Sequence, residues 1–538
     1  MKRILLYILT AAVLLSDRAP AAIREYWLYK STNLLVDTNV AELQALIERA
    51  KACGVTHLLL TDSKFSRLAE MPERYFRNAG AVKSAAAAAG IAIVPAVCPV
   101  GYSNDLLHSD PNLIEALPVK GTPLTVKGGK ALLLPPGPPL LKGGDMADLS
   151  LWGWKDETVI AQDGAAWVKD PGGRNARITQ KVTVTPWRQY HVSVRIKTHE
   201  FKGTPEIKLL TAAGSSLNYD YLKVERTQDW REHHAVFNSQ NHTSLTLFLG
   251  CWDGSTGELW WDDARMEETA FVNLVRRPGA PLTIRTGDGR VLREGTDFTP
   301  LSDPLLGTQP YAGCYTVWHQ PPVLTTPLPE GTTLTADWYH GATVHDDQAG
   351  ICPSEPRTME LIRDQAERVQ KLWQPAAFMM SHDEIRVWNH CAACRAKNQT
   401  AGQLLADNIR ACTAMLRKVN PSARLYVWSD MFDPHHNARD HYYLARGDFA
   451  GSWEGVDPSV TIVPWYFEKR AESLKFFAGR GHRQVIAGYY DSDPAAVREW
   501  IKAAAPYDAV EAVMYTTWQN NYRDMETFFR IAREAAGK

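Results

Sequence analysis

The sequence lacks an excess of charge of either sign. Its 538 residues include 59 Lys and Arg and 60 Asp and Glu, which leaves a net charge of −1. Proteins that bind nucleic acid or anionic membrane surfaces through long-range attraction carry a basic excess. The even balance therefore argues against nucleic acid as a partner.

Long hydrophobic runs are also scarce. The run Ile4–Leu15 follows Lys2 and Arg3 and precedes the small-residue segment Ala19-Pro-Ala-Ala22. It is shorter than the roughly 20 residues that a helix needs to cross a bilayer, and its flanks are typical of a cleaved secretory signal. We therefore expect residues 1–22 to be a signal peptide. The mature protein is expected to be exported, periplasmic or extracellular, with no membrane as a partner after cleavage.

Cysteine is infrequent, with 8 residues in the chain. Disulfides are therefore not expected to be the main scaffold, even in an exported protein. Cys391 and Cys394, preceded by His390, have the spacing of half a zinc site or of a redox pair, but a second pair with matching spacing is missing. We expect a local disulfide or two buried thiols, and neither a metal nor another cofactor.

Several catalytic motifs are missing as well. The chain has no glycine-rich phosphate loop between a strand and a helix, no His-Glu-x-x-His and no Gly-x-Ser-x-Gly, which are signatures of nucleotide sites, zinc proteases and α/β-hydrolases. Aromatic residues are plentiful by contrast, with 18 Trp and 20 Tyr. Flat aromatic rings are suited to packing on sugars, although most of them in any protein are core.

Apolar runs alternate with helical segments at both ends of the chain. Residues 23–105 contain three such runs and residues 334–538 contain five. Eight parallel strands with intervening helices specify a (β/α)8 TIM barrel, an α/β fold. Because the alternation stops between these two ranges, we predict a barrel that is interrupted by an insertion.

The interrupting region divides into three parts. Residues 106–148 include a stretch rich in Pro and Gly and are predicted to be a linker. Residues 149–268 contain short alternating runs, such as Tyr190–Ile196, and are predicted to form an inserted β-sandwich. Residues 269–333, which are rich in proline, are predicted to be a small β-rich extension.

The apolar run Phe378–Met380 leads through Ser381 and His382 to two adjacent carboxylates, Asp383 and Glu384. Such a pair is more often a solvated strand end or a helix N-cap than a catalytic site, and alternation would send the two side chains to opposite faces unless the chain turns there. Other barrel strands end in polar or aromatic residues too, however, and chemistry in this fold lies at that edge. These residues are Asp62, Trp428, Asp430, Trp465, Tyr489, Asp491, Trp518 and Asn520.

The two carboxylates are predicted to differ in protonation. Partial burial between tryptophan walls would raise the pKa of Glu384 and suit it to be an acid, while Asp383 would stay charged. The walls would be Trp428, Trp465 and Trp518, whose alternative is packing between barrel and helices.

Four segments, in chain order, resemble the family 20 glycoside hydrolases, the β-N-acetylhexosaminidases. Leu60–Asp62 and Ala85–Tyr102 resemble the family's second strand end and its third helix and strand. Cys352–Thr358 resembles the segment that heads the helix before the catalytic strand, and Met380–Glu384 resembles the end of that strand. The likeness covers both sides of the insertion.

The resemblance implies cleavage of β-linked N-acetylhexosamine glycans by substrate assistance. Glu384 would protonate the glycosidic oxygen, Asp383 would orient the 2-acetamido group, and the acetamido oxygen would attack the anomeric carbon with net retention. Tyr489 would hydrogen-bond the acetamido oxygen, Asp491 would be the acidic member of the same motif, and Trp518 would floor the acetamido pocket.

This sequence departs from the family pattern at four places. Lys30 stands where an Arg is usual, Tyr102 replaces a His, Ser381-His382 replaces Gly-Gly, and Asn520 replaces a Glu. Lysine is a less directional donor than arginine. We therefore expect recognition of the outer sugar hydroxyls to differ from that of the family.

Within the insertion, Gln180–Pro186, the Trp230 segment and Gly257–Glu267 resemble jelly-roll carbohydrate-binding modules. Three tryptophans there are either sugar platforms or core, namely Trp152, Trp154 and Trp252.

Two further readings of the whole chain stay open. One is a glycosidase for a non-acetamido sugar with Glu384 as acid and Asp491 as nucleophile or base. The other is a non-catalytic glycan-binding protein, and in each case the partner is an oligosaccharide, polysaccharide or glycoconjugate.

Overall fold

The computed structural model describes residues 23–134, 139–218 and 220–537. The predicted signal peptide, residues 1–22, lies outside the described residues. Within the described ranges, no helix has both the length and the apolar character needed to cross a bilayer.

Eight strands close into a parallel barrel, which confirms the predicted TIM barrel with an inserted sandwich. The first strand pairs with the second and, through Glu25–Leu28, with the last. Short apolar runs suit these strands because both of their faces are buried. The barrel strands are Glu25–Thr32, His57–Asp62, Ala92–Val97, Ala377–Met380, Arg424–Trp428, Val460–Val463, Gln484–Ala487 and Val510–Tyr515.

Alternate strand residues fill the inside of the barrel. These residues include Trp27, Tyr29, Leu59, Val94, Met379, Tyr426, Val463, Val485, Ala487 and Met514. The residues between them point outward and pack beneath the helices. A side chain that continues the inward series beyond a strand's end therefore reaches the mouth of the barrel.

The α-helices have local sequence signals at several ends. Thr400 and Gln403 form a capping box at the start of one helix, and Gly90, with φ of 71°, ends another in the left-handed conformation. The helices are Asp37–Ala52, Glu73–Ala89, Pro356–Trp373, Ala392–Ala396, Ala401–Val419, Arg470–Gly479, Val497–Ala504 and Met525–Ala535.

The inserted sandwich consists of two antiparallel sheets around its own apolar core. One sheet contains, in order, Gln228–Asn238, Gln189–Lys202, Thr256–Thr269, Ala165–Lys169 and Val159–Gln162. The other contains Asp220–Tyr221, Pro205–Leu210, Ser244–Cys251, Ala176–Thr183 and Trp154–Lys155.

A third sheet takes up part of the predicted linker as well as part of the predicted β-rich extension. Part of the predicted linker forms the strands Ala116–Lys127 and Lys130–Leu133, and the first of these pairs with Thr333–Gly341. The strands Thr283–Thr286 and Leu324–Thr325 complete the sheet. Prediction failed here because the partners lie on opposite sides of the sandwich in sequence, so no local pattern joins them.

Candidate functional site

A cleft of about 920 Å³ opens at the carboxyl-terminal edge of the barrel. Most of the predicted site residues line it, namely Asp62, Asp383, Glu384, Trp428, Trp465, Asp491 and Trp518. Three predicted residues do not line it, namely Asp430, Tyr489 and Asn520. The strand-end pattern therefore located the cleft but not every side chain in it.

A left-handed turn brings both catalytic candidates to the cleft. Asp383 continues the inward series of the fourth barrel strand, and Glu384 has φ of 48°, which swings its side chain to the same side. A non-glycine residue in this conformation is strained and is common at functional sites. Gly101 packs directly under the turn, since a Cβ there would lie 2.1 Å from the Asp383 carbonyl oxygen.

The carboxylate of Glu384 has two polar partners. The Tyr102 hydroxyl donates to its Oε2, and Arg386 Nη2 lies 2.9 Å from its Oε1. Arg386 is nearly buried and also donates to Gln348. Sequence reasoning missed Arg386, although a charge two residues beyond an acidic pair in an otherwise apolar segment was an available signal.

The surroundings of Asp383 oppose the charge that the sequence predicts it to keep. Burial, followed by the charges of Asp430 and Glu384, raises the pKa of Asp383 to about 8. Burial raises the pKa of Asp430 as well. The Oδ2 atom of Asp430 accepts hydrogen bonds from the Glu384 N–H at 2.9 Å and from Asn437 at 3.0 Å. Asp430 thus supports the turn that carries Asp383 and Glu384, and its own side chain does not line the cleft.

Aromatic rings form a large part of the cleft lining. The Trp518 ring centroid lies 5.2 Å from Tyr29, 5.6 Å from Trp428 and 6.3 Å from Trp465. Tyr490 stacks on Trp465 at 5.7 Å with an interplanar angle of 3°. The rings present apolar faces of the kind that pack against the C–H faces of a pyranose.

Tyr489 requires a correction, because it points away from the cleft. Its ring stacks on Tyr515 at 4.1 Å, and its hydroxyl donates to Asp524 at 2.9 Å. Tyr489 is predicted from the sequence to lie at a strand end, but the seventh strand stops at Ala487, two residues earlier. Tyr490 is the tyrosine that lines the cleft.

Asp491 lies at the cleft, but its carboxylate is hydrogen-bonded to the segment that follows the eighth strand. Its carboxylate accepts hydrogen bonds from the Thr517 hydroxyl, from the Trp518 N–H at 2.7 Å and from the Gln519 N–H at 3.3 Å. The side chain therefore fixes the loop that carries Trp518.

The carboxylate of Asp62 is likewise occupied by hydrogen bonds from nearby protein groups. Its carboxylate accepts from the Lys64 N–H at 2.9 Å, the Leu34 N–H at 3.0 Å and the Tyr75 hydroxyl at 2.9 Å. Three of the roughly four acceptor positions of a carboxylate are thus occupied, which leaves little capacity for substrate.

Two of the departures from the family pattern meet in one contact. Lys30 Nζ donates to Asn520 Oδ1 at 3.2 Å and lies over the Tyr522 ring. Neither Lys30 nor Asn520 lines the cleft. Their prediction as sugar-facing positions is not supported by this geometry.

The insertion contributes to the cleft, which sequence reasoning missed. Tyr221, from the sandwich strand Asp220–Tyr221, lines the cleft together with His345. The two rings meet edge to face at 5.8 Å. No sequence pattern near either residue indicates this contact, because the residues are far apart in the chain.

The sandwich tryptophans separate into core and surface. Trp152 is buried, and its indole N–H donates to the Gly143 carbonyl at 3.0 Å. Trp154 is exposed, and Arg177 lies over its ring as well as over that of Trp252. Lys208 also lies 3.9 Å from the Trp252 centroid. Trp154 and Trp252 therefore remain candidate platforms, whereas Trp152 is core.

No protein-family model matches the sequence, and a search of curated proteins found no match. Among solved structures, the chain is similar to a rhamnosidase from Novosphingobium sp. PP1Y, with 10% identity and a TM-score of 0.33 over 96% of this chain and 59% of that chain. It is also similar to a CBM4 structure, with 17% identity and a TM-score of 0.19 over 21% of this chain and 78% of that one. A CBM29-2 mutant in complex with cellulohexaose has 12% identity and a TM-score of 0.18 over 22% of this chain and 78% of that one.

Proposed function

We propose that this protein is an exported glycoside hydrolase that cleaves β-linked N-acetylhexosamine glycans, with Asp383 and Glu384 as the catalytic pair. One observation carries the proposal. Two carboxyls on a left-handed turn at the end of a barrel strand face a single cleft that is also lined by several aromatic rings. Acids that exchange protons at the glycosidic bond and rings that pack on the sugar are the two groups such a reaction needs.

The proposed mechanism assigns different roles to the two acids. Glu384 donates a proton to the leaving glycosidic oxygen and later removes one from water. The acetamido oxygen attacks the anomeric carbon, which makes the acetamido nitrogen more acidic. Asp383, whose pKa is raised, is a strong acceptor for that N–H proton in its deprotonated form, which this mechanism requires. Asp430 adds negative charge nearby that favours the cationic intermediate.

Tyr490 takes the role first expected of Tyr489. Its ring lines the cleft beside Trp465 and Trp518, from where its hydroxyl would donate to the acetamido oxygen. That hydrogen bond would hold the acetamido oxygen in position to attack the anomeric carbon.

A second mechanism has one observation in its favour. The raised pKa of Asp383 suits a general acid, while Glu384 stays paired with Arg386. In that scheme Asp383 protonates the leaving group and Glu384 is the nucleophile for a sugar without an acetamido group. Asp491 is a weaker candidate for nucleophile, because its carboxylate already accepts three hydrogen bonds.

The deciding experiment is a panel of aryl β-glycosides of GlcNAc, GalNAc, glucose and galactose. It is run with the wild type, Glu384→Gln, Asp383→Asn and Glu48→Gln, the last being a control on an exposed helix face. We expect turnover only of the acetamido sugars, a loss of about 10³-fold in kcat/KM for Glu384→Gln, and no loss for the control.

Three other results would contradict the proposed mechanism or the proposed activity. Equal turnover of glucosides or galactosides would reject substrate assistance and favour the two-carboxylate scheme. Undiminished activity in Glu384→Gln would remove this residue from the chemistry. Binding of a glycan without turnover of any substrate, with equal affinity in Glu384→Gln, would leave a non-catalytic binding protein.

A further inference from the structure

Three cysteines and one glutamate meet in the interior, away from the cleft lining. Glu115, Cys352, Cys391 and Cys394 offer ligand atoms that all lie within 4.8 Å of one another, and all four residues are buried. They come from three separate parts of the chain. Glu115 precedes the strand Ala116–Lys127, Cys352 precedes the helix Pro356–Trp373, and the other two cysteines lie at the helix Ala392–Ala396.

The distances between these atoms are those of a coordination site. Cys352 Sγ lies 3.3 Å from Cys391 Sγ and 3.6 Å from Cys394 Sγ, and Cys394 Sγ lies 3.5 Å from Glu115 Oε2. A disulfide requires about 2.05 Å between sulfurs. Tetrahedral ligands around zinc, at about 2.3 Å for sulfur and about 2.1 Å for oxygen, are about 3.5 to 3.8 Å apart.

We propose that Glu115, Cys352, Cys391 and Cys394 bind one Zn²⁺ in a closed tetrahedral site. Four protein ligands leave no position for water or substrate, which makes the site structural and not catalytic. The CxxC sequence alone predicted no metal, because its partners do not form a second pair. The missing ligands are a lone cysteine and a carboxylate from distant segments.

Neighbouring groups orient the glutamate as a ligand. Glu115 Oε1 accepts hydrogen bonds from the His390 N–H at 2.6 Å and the Cys391 N–H at 2.9 Å. This directs the other oxygen, Oε2, toward Cys394. Partners of this kind fix ligand geometry in metal sites.

The charges also favour a divalent cation. Three thiolates and one carboxylate would carry four negative charges in a buried place, which is very unfavourable without compensation. Arg277 lies near enough to Glu115, Cys352 and Cys391 for electrostatic interaction and supplies one positive charge. Zn²⁺ would supply two more.

A metal here would join three parts of the fold. Cys391 and Cys394 follow the catalytic turn in sequence, Glu115 begins the third sheet, and Cys352 leads into a barrel helix. The site would therefore hold the segment after Asp383 and Glu384 against the insertion boundary. Zinc binding does not depend on which sugar, if any, the cleft takes.

The competing state is a disulfide between Cys352 and one of its neighbours, since an exported protein meets oxidising conditions. The metal content of the full-length protein, purified without chelator, is measured by inductively coupled plasma mass spectrometry. In parallel it is alkylated in denaturant without reductant, and its intact mass is measured. We expect about one zinc per chain, and all 8 cysteines alkylated.

Variants locate the metal. Glu115→Gln and Cys394→Ser should reduce zinc at least tenfold, while Cys53→Ser, a buried cysteine at the end of another helix, should retain it. Chelator should lower the thermal midpoint of the wild type, and added Zn²⁺ should restore it.

Three outcomes would overturn the site. They are a metal-free wild type with two cysteines protected from alkylation, a metal-free wild type with all thiols free, and equal zinc in Cys394→Ser and Cys53→Ser. The two wild-type measurements decide the matter even if a variant fails to fold. None of these measurements uses hydrolysis, so a negative result for the zinc site is distinct from failure of the proposed activity.

Discussion

Asp430→Asn should move the pH dependence of hydrolysis. The Asp430 carboxyl is buried, and its charge is the second largest cause, after burial, of the raised pKa of Asp383. Asparagine keeps the shape, and its amide oxygen can still accept the hydrogen bonds from the Glu384 N–H and from Asn437. The substitution therefore removes a charge while leaving the turn supported.

The size of the effect follows from Coulomb's law. At an effective dielectric constant of about 20, two like charges about 4 Å apart repel by about 4 kcal/mol, and at twice that separation by about 2 kcal/mol. A charged Asp430 would therefore raise the pKa of Asp383 by roughly 1.5 to 3 pH units. Because burial raises the pKa of Asp430 itself, this group is only partly charged near neutral pH. We therefore expect the pKa of Asp383 to fall by about one pH unit in the variant.

The assay is the profile of kcat/KM against pH, and its direction identifies the role of Asp383. If Asp383 must be charged to accept the acetamido N–H, the acidic limb moves to lower pH. If Asp383 must be protonated to act as the acid, the alkaline limb moves to lower pH instead. Asp433→Asn, at another buried acid close by in sequence, is the control and should move neither limb. A folded Asp430→Asn enzyme with an unchanged profile would refute the coupling.

Tyr490→Phe should lower kcat on acetamido substrates about 10²-fold, and Tyr489→Phe should change it by less than about twofold; the reverse order would return the role to Tyr489. Trp518→Ala should raise KM about tenfold, which is equivalent to about 1.4 kcal/mol of lost apolar contact. Asn520→Ala should leave KM unchanged, and an equal increase in KM for both variants would place Asn520 at the sugar. Asp383→Asn should raise the thermal midpoint more at pH 8 than at pH 5. An acid with a raised folded-state pKa loses stability as pH rises from its unfolded value near 4 towards about 8, so a midpoint lowered at pH 8 would contradict the pKa assignment.

The barrel could be predicted because its information is local. Each strand is a short apolar run and most are followed by an amphipathic helix, so period and order specify the closed sheet. The third sheet could not be predicted in this way. Its long strands, Ala116–Lys127 and Thr333–Gly341, pair across the whole sandwich, and a run of alternating residues does not identify so distant a partner.

The same distinction applies inside the site. The strand-end pattern placed Trp428 and Trp465 correctly, because Trp428 ends its strand and Trp465 continues the inward series just beyond Val463. It failed for Tyr489, since the strand stops at Ala487 and the chain bends. The turn at Glu384 is a similar departure, but there it adds a second acid to the cleft. Backbone conformation beyond a strand's end depends on tertiary contacts, such as Gly101 beneath Asp383.

Lys30 and Asn520 show how two departures from a family pattern combine into one structural feature. Inward positions on the first strand include Trp27 and Tyr29, so alternation turns Lys30 outward, where it donates to Asn520. A pair that satisfies itself outside the cleft cannot hold the outer hydroxyls of a sugar. In the proposed enzyme that task would fall to groups that do line the cleft, and Tyr221 from the sandwich is among the lining residues. We therefore expect substrate selection beyond the first sugar to depend on the insertion as well as on the barrel.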